Sequence, residues 1–242
     1  LLIPSMIETS AKRLRSTYLT VLEVGGAFAH RFEGLIAFLR IPYLVITDLD
    51  SVKPTGYPSS CRADVPGART SNATLKKFCG TETVDDLVMM SSAEKVDSAK
   101  DRCVAFQTDV LVVENDHQLM MRPRTLEETI AYENFTLLRS GTISIGITIP
   151  DTLSDTYQAI YDHIRSDNFK KTDFAMRLLA GNATWTVPTY IAEGLRWLEM
   201  RLCGPTPKAG VPGTTGPEDG GDLLRELADA LHEVRRGRDS QR

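Results

Sequence analysis

Apolar residues Leu2, Ile3, Met6, Ile7, Ala11 and Leu14 recur close to the helical repeat and run into the basic cluster Lys12, Arg13 and Arg15. That pattern predicts a helix over residues 1–15, with its cations at the favourable end of the dipole. Residues 18–24 are β-branched and aromatic and stop at Gly25-Gly26, which predicts a strand leading into a tight turn. Helical spacing returns over residues 27–39 through Phe28, Phe32, Leu35, Ile36 and Leu39, and residues 42–47 form a nearly continuous apolar run bounded by acids. A strand buried on both faces reads that way, and strand, helix and buried strand in succession predict a parallel βαβ pair in an α/β sheet.

Residues 51–69 turn to Pro, Gly, Ser and charge, the composition of a long loop at a strand's carboxyl end, where ligands sit in open α/β sheets. Further on, short helices are predicted at 71–78 and 84–90, strands at 103–106 and 110–113, and helices at 125–137, 152–165, 168–179 and 188–203. The last has a clear apolar face in Tyr190, Leu195, Trp197, Leu198 and Leu202. Residues 204–221 hold Pro205, Pro207, Pro212, Pro217 and six glycines, a composition that reads as linker. Residues 222–242 carry Leu223, Leu224, Leu227, Leu231 and Val234 as a short amphipathic helix followed by a basic tail. The expected organisation is therefore a domain over 1–203, a linker over 204–221 and a terminal helix and tail over 222–242.

At 242 residues, 42% hydrophobic and 25% charged, the chain has the composition of a globular protein with one generous domain, not of a disordered or fibrous one. A net charge of -4 excludes a global basic field for nucleic acid, so DNA contact needs a local patch or bound cations. No apolar run reaches membrane-spanning length and no signal-peptide pattern opens the chain, so a cytoplasmic protein is expected. Cys61, Cys79, Cys103 and Cys203 form no C-x-x-C pair and read as reduced, small apolar side chains. The absence of an initiator Met, with an apolar helical pattern from the first residue, reads as a fragment of a longer protein.

The strongest chemical feature is Thr47-Asp48-Leu49-Asp50-Ser51, two carboxylates at alternate positions where the apolar run ends. On a strand, Asp48 and Asp50 share a face and can converge on one hard cation such as magnesium. The plain alternative is loop solubility or helix capping. No G-x-S-x-G, P-loop or Cys–His pairing offers a competing chemistry.

Six pieces in order resemble the Toprim domain of the OLD (overcoming lysogenisation defect) family of ATP-dependent nucleases. They are V-L-E-V-G-G-A-F-A-H (21–30), I-P-Y-L-V-I-T-D-L-D-S-V (41–52), T-S-N-A-T-L-K-K (70–77), P-R-T-L-E-E (123–128), K-T-D-F-A (171–175) and P-T-Y-I-A-E-G-L-R-W-L (188–198). The resemblance implies a Rossmann-type parallel sheet flanked by helices, with additional C-terminal helices. It implies a metal-dependent DNA endonuclease module, hydrolysing or nicking through two Mg2+ or Mn2+ ions and coupled to an upstream ATPase domain. Asp48, Asp50, Glu127 and Thr125 then fall on the metal-binding positions, and Lys171 on the lysine that absorbs charge in the transition state. DNA, the ATPase domain of the same polypeptide and a homodimer are the implied partners; ATP would enter only through that upstream domain.

Each residue has a plain rival. Glu127 and Glu128 suit the first turn of any helix, and Thr125 suits an N-cap. Lys170 and Lys171 are interchangeable on sequence grounds, or both are solvated. Ser71 and Asn72 line a phosphate path or cap a helix, and His30 is a phosphate neighbour or a hydrogen-bonded structural residue. The family also places a glutamate-bearing strand, E-G-x-x-E, before the helix that begins here at Leu1, and that strand is not in this sequence. The alternative function is a non-catalytic Toprim-like module that binds nucleic acid or mediates dimerisation beside an ATPase.

Overall fold

The computed structural model describes residues 1–181 and 183–205. The chain divides into two units, Leu1–Pro205 and Thr206–Arg242; the second lies outside the described residues, and with it most of the expected linker and all of the expected terminal helix and tail.

The first helix, α1 (Ile3–Ser10), takes Pro4 into its first turn, where a missing N–H is harmless. It ends earlier than its pattern predicts because the backbone leaves the helical region at Ala11 (φ -154°); Lys12–Ser16 continue as a 3-10 turn that still buries Leu14. Residues 18–24 form no strand. Tyr18, Val21 and Leu22 stand exposed, and no described strand runs alongside them. Strand propensity is realised only where a neighbour takes up the backbone N–H and C=O groups, so the expected parallel pairing of 18–24 with 42–47 is not made. Gly25, at φ 61°, turns the chain into a 3-10 stretch, Gly26–Phe32, which leads into α2 (Glu33–Leu39). α2 buries none of its side chains; Leu35, Phe38 and Leu39 face outward.

β1 (Tyr43–Ile46), β2 (Ser51–Val52), β3 (Arg69–Thr70), α3 (Ala73–Cys79), α4 (Val84–Met89), β4 (Val96–Asp97) and β5 (Arg102–Ala105) follow. The main sheet has the order β1-β5-β4, with β1 and β5 parallel in the register Tyr43↔Arg102 to Ile46↔Ala105 and β4 antiparallel to β5. β5 is the strand buried throughout. β1 lies at the edge of this sheet among the described residues, and only its Val45 is buried, which corrects the expectation of burial on both faces.

β6 (Val110–Glu114) and β7 (His117–Met121) form a separate antiparallel hairpin. The second of these strands escapes sequence reading because His, Gln, Leu and two Met carry little β-branched signal. The expected single helix over 125–137 is broken into α5 (Leu126–Glu133) and α6 (Phe135–Arg139) at Asn134. There the Asn134 amide donates to Ile130 O and Thr186 O and draws the chain out of register. α7 (Leu153–Arg165), α8 (Lys171–Ala180) and α9 (Thr189–Cys203) complete the described fold; α8 starts a few residues later than its pattern because Lys170 stays extended as its N-cap.

Because side chains alternate along a strand, the β1–β5 pair divides two hydrophobic cores. Val45 and Val104 face a smaller core with Leu49, Leu75, Leu87 and Phe106. Leu44, Ile46 and Ala105 face the larger one, built from α1, the hairpin and α5 to α9. α9 closes on the sheet at Gly194, where a Cβ would stand 2.7 Å from Leu44 Cδ1 and 3.2 Å from Ala105 Cβ. The architecture is thus α/β, a parallel-containing sheet flanked by helices with further helices toward the C-terminal end. Among the described residues no helix is long and apolar enough to cross a membrane.

Candidate active site

The parallel ladder closes where the Thr47 N–H donates to Ala105 O at 3.0 Å, and the two aspartates lie just beyond it. Strand alternation does not extend to them. Leu49 is fully buried, its N–H donates to Gln107 Oε1 at 2.8 Å and its carbonyl accepts from Thr70 Oγ1 at 2.7 Å. Asp50 takes a left-handed φ of 49°. The shared strand face expected for Asp48 and Asp50 is therefore replaced by a pinned turn, yet the charge of Asp50 still acts on Asp48.

Asp48 Oδ1 accepts from Gln107 Nε2 at 2.5 Å and from the Leu126 N–H at 3.0 Å, so the first turn of α5 is docked directly on the D-x-D segment. The residue keeps some surface, but protein crowds its carboxyl; that burial, reinforced by the negative charge of Glu127, pushes its pKa up to about 6. Lys171 pulls the other way. Asp50 is also raised by burial, against the opposing pull of Arg124 and Lys171. Its Oδ1 lies 3.6 Å from Arg124 Nη2 and its Oδ2 accepts from Asn72 Nδ2 at 3.5 Å.

Thr125 is the N-cap of α5, but its hydroxyl makes no capping bond; Oγ1 is buried without a hydrogen-bond partner. Glu127 is buried, and its Oε2 has a charge contact with Lys171 Nζ at 3.2 Å without hydrogen-bond geometry. Glu128 instead serves the helix start: its Oε2 accepts the Arg124 N–H at 2.7 Å, and burial raises its pKa to about 8. The two lysines separate as well. Lys171 faces the carboxylates, whereas Lys170 Nζ is spent on Asp167 O at 2.7 Å.

Asn72 is a cap and a neighbour of the site at once: its Oδ1 accepts the Thr74 and Leu75 N–H groups of α3, and its Nδ2 donates to Thr47 Oγ1 and Asp48 O. Ser71 Oγ donates to Asp50 O at 2.9 Å. His30 Nδ1 lies 3.2 Å from both Ala27 O and Thr74 Oγ1, a structural setting.

Sequence reading missed Gln107, Arg124 and Tyr190. Gln107 is fully buried and also donates to Tyr190 Oη at 3.2 Å, so one amide ties the D-x-D turn to α9. A lone polar residue straight after the apolar run 103–106 was its only local signal. Among the described residues no group of three or more His, Cys, Asp or Glu side chains is gathered as a metal-binding cluster; the carboxylates are engaged by Gln107, Leu126, Arg124, Asn72 and Lys171.

Residues 1–50 match the family described as overcoming lysogenization defect protein-like, TOPRIM domain. The chain is also 24% identical over 209 residues to Endonuclease GajA of Bacillus cereus (strain HuB5-5), an alignment covering 79% of this chain and 29% of that protein. The chain thus spans about three-tenths of the length of the curated relative it matches. No solved structure matches.

Proposed function

Proceeding from a chain whose first 50 residues are of the OLD-like Toprim type and most of which aligns with an endonuclease, we propose that it is the nuclease module of a larger, ATP-coupled DNA endonuclease working in the cytoplasm. The observation that carries this reading is the convergence of Asp48, Asp50, Glu127 and Lys171, from three separate stretches of sequence, into one electrostatic cluster. Solvated surface charges have no reason to meet in this way.

The donor set fits Mg2+ or Mn2+. All the groups are hard oxygens, and two of them, Thr125 Oγ1 and Glu127 Oε2, are buried with no hydrogen bond made. Asp48, Asp50, Glu127 and Thr125 would hold the cations, with Asp50 and Glu127 giving up their contacts with Arg124 and Lys171 to do so. Bound there, divalent cations supply an activated water and stabilise the leaving oxygen of a phosphodiester.

The chain's own groups do the rest. Gln107 and the Leu126 N–H fix one oxygen of Asp48, which orients the carboxylate toward the cluster. Lys171 sits at N1 of α8 with its side chain 60% exposed, so its ammonium can leave Glu127 and meet the negative charge that builds on the phosphate in the transition state. Locally bound cations also answer the chain's acidic balance, because they supply the positive field that DNA requires.

The test is cleavage of supercoiled plasmid by the full-length protein with Mg2+ or Mn2+. Asp48→Ala is expected to abolish cleavage while the circular dichroism spectrum stays unchanged, and Lys171→Ala to lower kcat by roughly a hundredfold or more. A folded, metal-loaded protein that binds DNA or dimerises but never cuts would move the assignment to the non-catalytic module.

A further inference from the structure

Arg124 is a cation at the D-x-D turn that the reading above leaves without a task. It immediately precedes the N-cap of α5, and both ends of it are held: its N–H donates to Glu128 Oε2 at 2.7 Å and its Nε donates to Ser51 O at 3.2 Å. The side chain is only 15% exposed. Its remaining nitrogens are underused. Nη2 stands 3.6 Å from Asp50 Oδ1, a charge contact too long for a hydrogen bond, and among the described residues Nε alone donates one.

A guanidinium offers five N–H donors in a rigid fork, and the η nitrogens of Arg124, which make no hydrogen bond among the described residues and keep some of the side chain's exposure, are open to an arriving acceptor. The fork matches two non-bridging oxygens of a phosphate, which an ammonium cannot do. Lys171 and Arg124 are in this respect complementary: one is a mobile point charge paired with Glu127, the other a fixed plane anchored on a backbone carbonyl.

We propose that Arg124 is a phosphate-binding residue of this site, exchanging its loose contact with Asp50 for a two-pronged contact with a backbone phosphate of the nucleic acid and so freeing Asp50. The inference rests on the nuclease reading and adds to it a second substrate-contacting cation, one that releases a carboxylate as DNA arrives.

The experiment is fluorescence-anisotropy titration of a short DNA duplex with the full-length protein in Ca2+ over a range of NaCl concentrations, alongside plasmid cleavage and thermal melting. Arg124→Gln is expected to weaken binding by about tenfold and to make the log–log salt slope shallower by about 1. Arg124→Lys is expected to keep the slope but cut at least tenfold more slowly, because a point charge cannot replace the fork. Wild-type affinity and slope in Arg124→Gln overturn the proposal. Should that variant fail to fold, wild-type cleavage by Arg124→Lys overturns it instead, and slowed cleavage with an intact slope supports it. If the wild-type protein itself neither binds nor cuts DNA, the nuclease reading falls and this inference with it; an active wild type with indifferent Arg124 variants removes this inference alone.

Discussion

Glu128 shows how closely chemistry and folding are interleaved at single residues. It neighbours Glu127 in sequence, yet its carboxylate is spent on the Arg124 N–H, and burial holds its pKa near 8 against an ordinary 4.5. Such a group lets the folded chain keep a proton that the unfolded chain gives up, so its contribution to stability is full below about 4.5 and is lost as pH rises through about 8. Asp48, raised to about 6, acts the same way over the lower part of that window. In the metal-free protein, urea midpoints are therefore expected to fall between pH 5 and pH 9, and Glu128→Gln to flatten the upper part of that fall; an unchanged profile in the variant would refute the assignment. At this scale the sequence shows Asp48 and Asp50 plainly, because they adjoin an apolar run. Gln107 shows only as a lone polar residue after an apolar run, since its partners Leu49, Asp48 and Tyr190 are brought to it only by folding.

Among elements, α9 and the β1–β5 pair make the closest approach, and Gly194 permits it. A larger side chain there must push Leu44 aside and press on Ala105, which has no rotamer to yield. Gly194→Leu is expected to destabilise the protein by roughly 1–3 kcal/mol through overpacking, despite leucine's better helix propensity, as read from denaturant melts. Helices with one strong apolar face, α7 and α9 among them, were legible from periodicity because their burial follows it. The stretch 18–24 was misleading for the opposite reason. Its residues suit a strand, but pairing is decided by a neighbour that local sequence does not contain. The break at Asn134 belongs with it: the bonds to the 186 region that interrupt the helix span a long interval of chain.

For the molecule as a whole, the two cores meet along one thin strand pair, and the candidate site lies where they meet. Asp48, Asp50 and Asn72 come from segments packed on the smaller core, while Glu127, Lys171 and the Tyr190 support come from helices packed on the larger one. Amide exchange is expected to be slowest along β5, buried on both sides, and fast through residues 18–24; strong protection in the latter segment would contradict the arrangement. A site stationed on such a seam inherits the drift of both sides. A substitution that is harmless within either interior still slides one set of carboxylates and cations against the other, so this protein's evolutionary freedom to repack is narrower than the size of either core alone would suggest.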